Sequence, residues 1–267
     1  MKTLGLLIFF ISSNIFALSC NNAKQTVFPE KDITGVVIIA HGLNLNPEKM
    51  EVIGSIFKER KVTPIYVKLT GHTKNSNWEA VSADRWRKDF YKGLCQAFLI
   101  SKNSKVPMYA FGYSLGSVLI QDAVEKFKAP FAKVFHISPA FKTRWYVGFI
   151  TGLFKLGFTF NIPSSNYEDY RAQSNTSLVA YKSMYELNQG LKYSDELENF
   201  IFMDLRDELV DYTNTKHLCE MKKNCKFTEL KNTPFDRGKK IYHLSLDPQS
   251  AGLESWQLIR KTILSKL

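Results

Sequence analysis

The sequence predicts an α/β fold, a mostly parallel sheet with helices on both faces. Three observations carry this: short unbroken apolar runs, longer helical stretches alternating with them, and a length suited to one domain. The 267 residues fit a single fairly large α/β unit. With 45% hydrophobic and 23% charged residues, the chain has ample material for a core. Disordered, collagen-like and repeat architectures are excluded.

Taken in order, Val36-Val37-Ile38-Ile39-Ala40 is a continuous apolar run of the kind buried on both faces of a parallel sheet. A helix is expected over about 48–60, then a strand from Ile65 to Leu69 and a long helix over about 83–101. A strand from Val106 to Phe111 and a helix over about 115–128 follow. Val134 to Ile137 and Phe200 to Met203 read as further strands, and a helix from about Leu253 to Leu267 closes the chain. Alternation of this kind makes parallel strands with crossover helices. One region breaks the rhythm. From Phe141 to about Leu197 no strand signal is evident, and aromatic and glycine residues crowd at Trp145 to Phe149 and Phe154 to Phe160. With a helix expected over about 176–189, residues 141–197 read as an inserted, mainly helical cap. An ordinary pair of core helices is the alternative.

Residues 1–19 read as an export signal and 20–267 as the mature domain. Lys2 gives the positive start, Leu4 to Leu18 is largely apolar, and Ala17-Leu18-Ser19 offers small residues where a signal peptidase reads. The apolar stretch is shorter than the roughly 18–20 residues needed to span a bilayer. Cys20, directly after that site, raises a second reading, a membrane-anchored lipoprotein, which Ala17 at the position usually held by Leu disfavours. Four cysteines in an exported chain permit disulfides. Cys219 and Cys225 close a short polar loop and make the better pair, while Cys20 with Cys95 stays open. Paired short cysteine spacings are lacking, so no metal or other cofactor is expected.

The formal charge of +11 and pI near 9.3 favour anionic surroundings, including peripheral contact with an anionic membrane. Nucleic acid is not an expected partner, because the lysines are spread along the chain without a compact basic block. Oligomeric state is not legible.

Chemistry concentrates around Gly112-Tyr113-Ser114-Leu115-Gly116, set between an expected strand and an expected helix. A Gly-x-Ser-x-Gly turn in that context places a serine on the sharp strand-to-helix elbow of an α/β-hydrolase, which makes Ser114 the candidate nucleophile. A serine hydroxyl needs a base to remove its proton. In this fold the order is serine, acid, histidine, which leaves His217 and His243. His243 lies ahead of the closing helix, where the base belongs, whereas His217 sits in a polar segment near Cys219. Behind the strand Phe200 to Met203 stand Asp204, Asp207 and Asp211. Asp207 is favoured as the acid, since Asp204 lies too close to the strand and Asp211 suits a helix cap. A tetrahedral intermediate needs two backbone N–H donors, and Leu115 and Leu43 are expected to supply them. His41 reads as a support for the Leu43 loop.

His41-Gly42-Leu43-Asn44-Leu45-Asn46-Pro47 resembles the HGF-TG-(S/N)-P-type loop of bacterial carboxylesterases and monoacylglycerol lipases. Leu69-Thr70-Gly71-His72-Thr73 is similar to their L-x-GHG segment, with Thr73 in place of the second glycine, and Trp86-Arg87-Lys88-Asp89 to their W-x-x-D helix. Ser138-Pro139-Ala140, Asp207-Glu208-Leu209-Val210 and His243-Leu244-Ser245-Leu246-Asp247 resemble further motifs of that group, although Asn232 to Lys240 lengthens the run before the base. The resemblance implies an α/β-hydrolase that cleaves carboxylic esters through Ser114, Asp207 and His243. The expected substrates are monoacyl esters of short to medium chain, including monoacylglycerols or lysophospholipids. A thioesterase or amidase with the same triad, and a noncatalytic binding protein on the same scaffold, are the alternatives.

Overall fold

The computed structural model describes residues 20, 23–74, 76–145, 158, 160–192, 196–235 and 237–267. The expected export signal, most of the aromatic and glycine-rich stretch after Trp145, and residues 193–195 lie outside the described residues.

The first strand among the described residues is β1 (Gly35–Ala40), whose every residue is buried because both faces are covered. Val36, Ile38 and Ala40 point into one core cluster, and Val37 and Ile39 into another on the opposite face. A 3-10 turn (Pro47–Met50) leads into α1 (Glu51–Lys58), which lays Ile53, Ile56 and Phe57 on the second cluster. β2 (Val62–Val67) follows. A second 3-10 turn (Trp78–Ala80) precedes α2 (Ala83–Ser104), which Ser82 caps by accepting from the Arg85 N–H. Trp86, Phe90 and Leu94 on one face of α2 join the first cluster, as the spacing of a half-buried helix requires.

β3 (Met108–Tyr113) runs into α3 (Leu115–Phe127), and β4 (Lys133–Ile137) completes the first half. Beyond it come β5 (Asn161–Pro163), β6 (Asn175–Ser177), α4 (Leu178–Asn188) and β7 (Glu198–Asp204). The last elements are α5 (Tyr212–Glu220), β8 (Cys225–Leu230), the short α6 (Pro248–Ala251) and α7 (Leu253–Lys266). Six strands form one sheet in the order β2-β1-β3-β4-β7-β8, and every neighbouring pair is parallel. Helix α7 returns to α1 on the second face, placing Trp256, Ile259 and Ile263 in the cluster that α1 began.

The structure corrects one reading and adds one strand. Residues 141–197 are not free of strand, since β5 and β6 pair as an antiparallel ribbon. Three-residue strands are too short to carry an alternating pattern, and their Asn, Thr, Ser and Pro residues read as loop. The run from Cys225 also forms a sheet strand. It is an edge, half exposed and polar at Lys226, Thr228 and Glu229, so neither face declares itself. Both cysteine pairs are joined: Cys219 to Cys225, and Cys20 to Cys95 across 75 residues. Among the described residues, no helix is long and apolar enough to cross a membrane.

Candidate active site

Parallel strands aligned in register bring their C-terminal ends to one edge of the sheet. There β3 leads into Ser114, β4 into Ser138 and β7 into the loop carrying Asp207. Ser114 holds φ 49° and ψ −112°, a conformation that non-glycine residues rarely adopt and that is kept only where neighbours over-determine it. Its N–H donates to the Ile137 carbonyl and its own carbonyl accepts from Ser117 and Ala140. The two glycines of the turn are there for room. A Cβ at Gly112 would sit 2.6 Å from the Ser117 nitrogen, and one at Gly116 would sit 2.1 Å from the Ala40 carbonyl oxygen.

Ser114 and His243 border the same cleft, together with Leu43, Tyr113, Ala140, Tyr181, Met184, Leu209 and Val210. The cleft holds about 610 Å³, its open mouth included. Behind His243, Asp207 is fully buried. Its Oδ2 lies 2.9 Å and its Oδ1 3.1 Å from His243 Nδ1. Oδ1 also accepts from the Leu209 and Val210 N–H groups, each at 2.9 Å. Burial raises the Asp207 pKa, but the His243 charge, its hydrogen bond and the two amides outweigh that and leave it below the ordinary range. For His243, burial pushes the pKa down, yet Asp207 and then Glu208 push harder, leaving it above the usual value. The pair is therefore an imidazole ready to take a proton, backed by a carboxylate that stays ionised.

The other candidates for acid and base are engaged or exposed elsewhere. Asp204 is the last residue of β7 and is engaged by Arg206 and the Asn232 N–H. Asp211 caps α5 by accepting from Asn214 N–H. His217 is exposed in the last turn of α5. Leu115 is the first residue of α3, where an N–H lacks an intrahelical acceptor, and Leu43 lines the cleft. His41 spans two loops: Nε2 accepts from the Leu69 N–H, so Nδ1 carries the proton and donates to Gly42 O at 2.9 Å. Burial lowers its pKa to about 4 against the Gly42 hydrogen bond, which keeps it neutral.

The other sequence motifs brace the same edge. Asp89 accepts from both the N–H and hydroxyl of Thr70, and Trp86 Nε1 donates to the Thr70 carbonyl. Reasoning from sequence missed Asn44. Its side chain donates to Thr176 Oγ1 and to the Gln173 and Asn175 carbonyls, and accepts from the Gln173 N–H. It thereby ties the Leu43 loop to β6. That strand is a thin wall: Thr176 faces the cleft, while Asn175 and Ser177 border an outer groove with Trp78, Phe160 and Gln173. Among the described residues, no group of three His, Cys, Asp or Glu side chains could hold a metal ion.

Several solved structures share this architecture. One of two metagenome-derived lipolytic enzymes, LipS and LipT, matches with a TM-score of 0.67 at 16% identity, over 88% of this chain and 93% of its own. A monoacylglycerol lipase from Paleococcus ferrophilus matches at 0.63 and 16%, over 90% and 96%. A soluble variant of monoglyceride lipase from Saccharomyces cerevisiae matches at 0.62 and 10%, over 91% and 86%. At these identities the likeness is one of fold. Among curated proteins, none matches by sequence. The family model Hydrolase_4, described as serine aminopeptidase, S33, matches residues 31–197, a span that includes Ser114 and the Leu43 loop and ends before Asp207. That match covers more than half of the chain, which therefore belongs to the Hydrolase_4 (serine aminopeptidase, S33) family of α/β-hydrolases.

Proposed function

We propose that the protein is an exported serine esterase that cleaves monoacyl esters of short to medium chain, such as monoacylglycerols or lysophospholipids. The observation that carries this reading is the buried Asp207–His243 pair, with His243 and Ser114 lining one cleft. Ser114 Oγ attacks the ester carbonyl while His243 takes its proton, and Asp207 holds the imidazole in the required tautomer. The Leu43 and Leu115 N–H groups stabilise the oxyanion. His243 then returns the proton to the leaving alcohol, and water cleaves the acyl-enzyme by the same steps in reverse. The region from about 141 to 197 acts as the cap: Tyr181 and Met184 from α4 supply apolar lining for the acyl chain.

The family's descriptive name points to aminopeptidases. Recognition of a free α-ammonium group calls for a carboxylate in the cleft. None of its lining residues is acidic among those described, which favours a neutral ester. Export is supported by the N-terminal pattern and the two disulfides. The Cys20 sulfur is bonded to Cys95 and cannot at the same time carry a lipid thioether, so cleavage without lipidation is favoured.

A panel of p-nitrophenyl esters of increasing acyl length, run on the mature protein and on Ser114→Ala, tests this function. Hydrolysis is expected from the parent and to fall by at least about 10³-fold in the variant. Equal rates from both, or none from the parent, would sink the esterase reading and favour a binding protein. The mass of the mature N-terminus tests export.

A further inference from the structure

His243 stands after a long excursion. From Lys231 to Lys240 the described chain is mostly exposed, and it re-enters the core at Ile241, Leu244 and Leu246, which pack in the second cluster. Beyond that packing, hydrogen bonds tie the backbone of this segment to the acid loop. Glu208, next to Asp207, accepts on one oxygen, Oε2, from the backbone N–H groups of both Tyr242 and His243, each at 3.1 Å. Charge-assisted bonds of this kind are about twice as strong as neutral ones. The two adjacent carboxylates thus hold different parts of one residue. Asp207 fixes the ring of His243, and Glu208 fixes the backbone that carries it. Arg206 braces the same segment. It lies 4.0 Å from the centre of the Tyr242 ring and donates to the Asn232 carbonyl, while Asn232 Nδ2 donates to the Tyr242 carbonyl.

We propose that Glu208 is a positioning residue, clamping the base loop to the acid loop so that His243 meets Asp207 and Ser114 together. This rests on the esterase reading of the site. The groups around the clamp are Asp207 on the same loop, Tyr113 at the end of β3 with its ring 5.2 Å from the imidazole, and Arg144, which donates to the Asp207 carbonyl. Arg206 and Tyr242 complete the set. The Glu208 charge adds to that of Asp207 in favouring a protonated His243, so neutralising it moves the imidazole titration to lower pH.

Glu208→Ala and Glu208→Gln in the full mature protein test the proposal by two readouts. Ester kinetics should give a 10- to 100-fold lower kcat for Glu208→Ala, the order expected for about 1 Å of misplacement, with KM within about twofold. Glu208→Gln keeps a carbonyl acceptor and should recover kcat to within about threefold. An NMR titration of the His243 imidazole in a Ser114→Ala background should find a lower midpoint in both variants. A Glu208→Ala kcat within twofold of the parent, or an unmoved His243 midpoint, would overturn the clamp. Should Glu208→Ala fail to fold, Glu208→Gln decides by the midpoint alone. Because the titration needs no turnover, a protein that cleaves no ester but whose His243 midpoint shifts refutes the esterase reading and keeps the clamp.

Discussion

Replacing Asp207 by asparagine changes one atom and one charge, and the surroundings dictate which way the amide must lie. Oδ1 accepts from the Leu209 and Val210 N–H groups, so an NH₂ placed there would face two donors. The asparagine oxygen must keep that position, which leaves the NH₂ where Oδ2 now lies, 2.9 Å from His243 Nδ1. An amide donates there. His243 is then forced to accept on Nδ1 and carry its proton on Nε2, the tautomer that cannot deprotonate a serine. In a serine protease triad the equivalent change lowers kcat by about 10⁴, and four decades correspond to about 5.5 kcal/mol of barrier. We expect a kcat loss of that order in Asp207→Asn, measured on a p-nitrophenyl ester, with KM and the thermal midpoint little changed. A loss below about tenfold in folded protein would refute the assigned orientation and the role of Asp207 with it.

Other expectations follow from the same structure. The base must be neutral to act, and the His243 pKa is raised; the acid limb of the pH–rate profile should therefore have its midpoint above the ordinary value of about 6.5, with activity lost as pH falls through it. His41 and His136 are buried with pKa values lowered to about 4. Between about pH 6.5 and 4 the unfolded chain binds protons that the folded chain does not, so stability falls with pH across that window, by up to roughly 3 kcal/mol per histidine. Urea midpoints measured across it should decline, and His136→Gln should flatten the decline. Gly116→Ala forces a Cβ against the Ala40 carbonyl and should cost about 3 kcal/mol or more. That is a fall of roughly 6–12 °C for a domain of this size, and a melt within a degree or two of the parent would rule out the close contact. Losing the Cys20–Cys95 bond, which spans 75 residues, should cost about 4 kcal/mol on the loop-entropy account, against about 2 for Cys219–Cys225. Thermal melts of Cys95→Ala and Cys225→Ala should rank in that order.

Much of this architecture was legible because burial writes itself into sequence. β1, β3, β4 and β7 are covered on both faces, so their apolar runs stand out, and α2 and α3 end close to the expected positions. The strained turn at Ser114 was legible because Gly112 and Gly116 are demanded by backbone contacts only a few ångströms long. What stayed hidden has a common cause. β8 and the β5–β6 ribbon are held by partners elsewhere in the chain; β8 is half exposed, and the three-residue strands of the ribbon are mostly polar. The Cys20–Cys95 bond joins positions far apart in sequence, where spacing carries no information. Glu208 and Asn44 work largely on backbone amides and carbonyls, groups that every residue has and no sequence pattern marks.

The β6 wall has a practical consequence for redesign. With successive side chains pointing to opposite sides of a single strand, position 176 addresses the cleft lined by Ser114 and His243, and positions 175 and 177 address the solvent-side groove. One short ribbon thus offers two separate sets of positions. On the proposed esterase reading, bulk added at Thr176 should trim the acyl lengths cleaved in the p-nitrophenyl ester panel, whereas changes at Asn175 should leave that profile unmoved. Ser177 is the less free of the two outer positions, since its hydroxyl also caps α4.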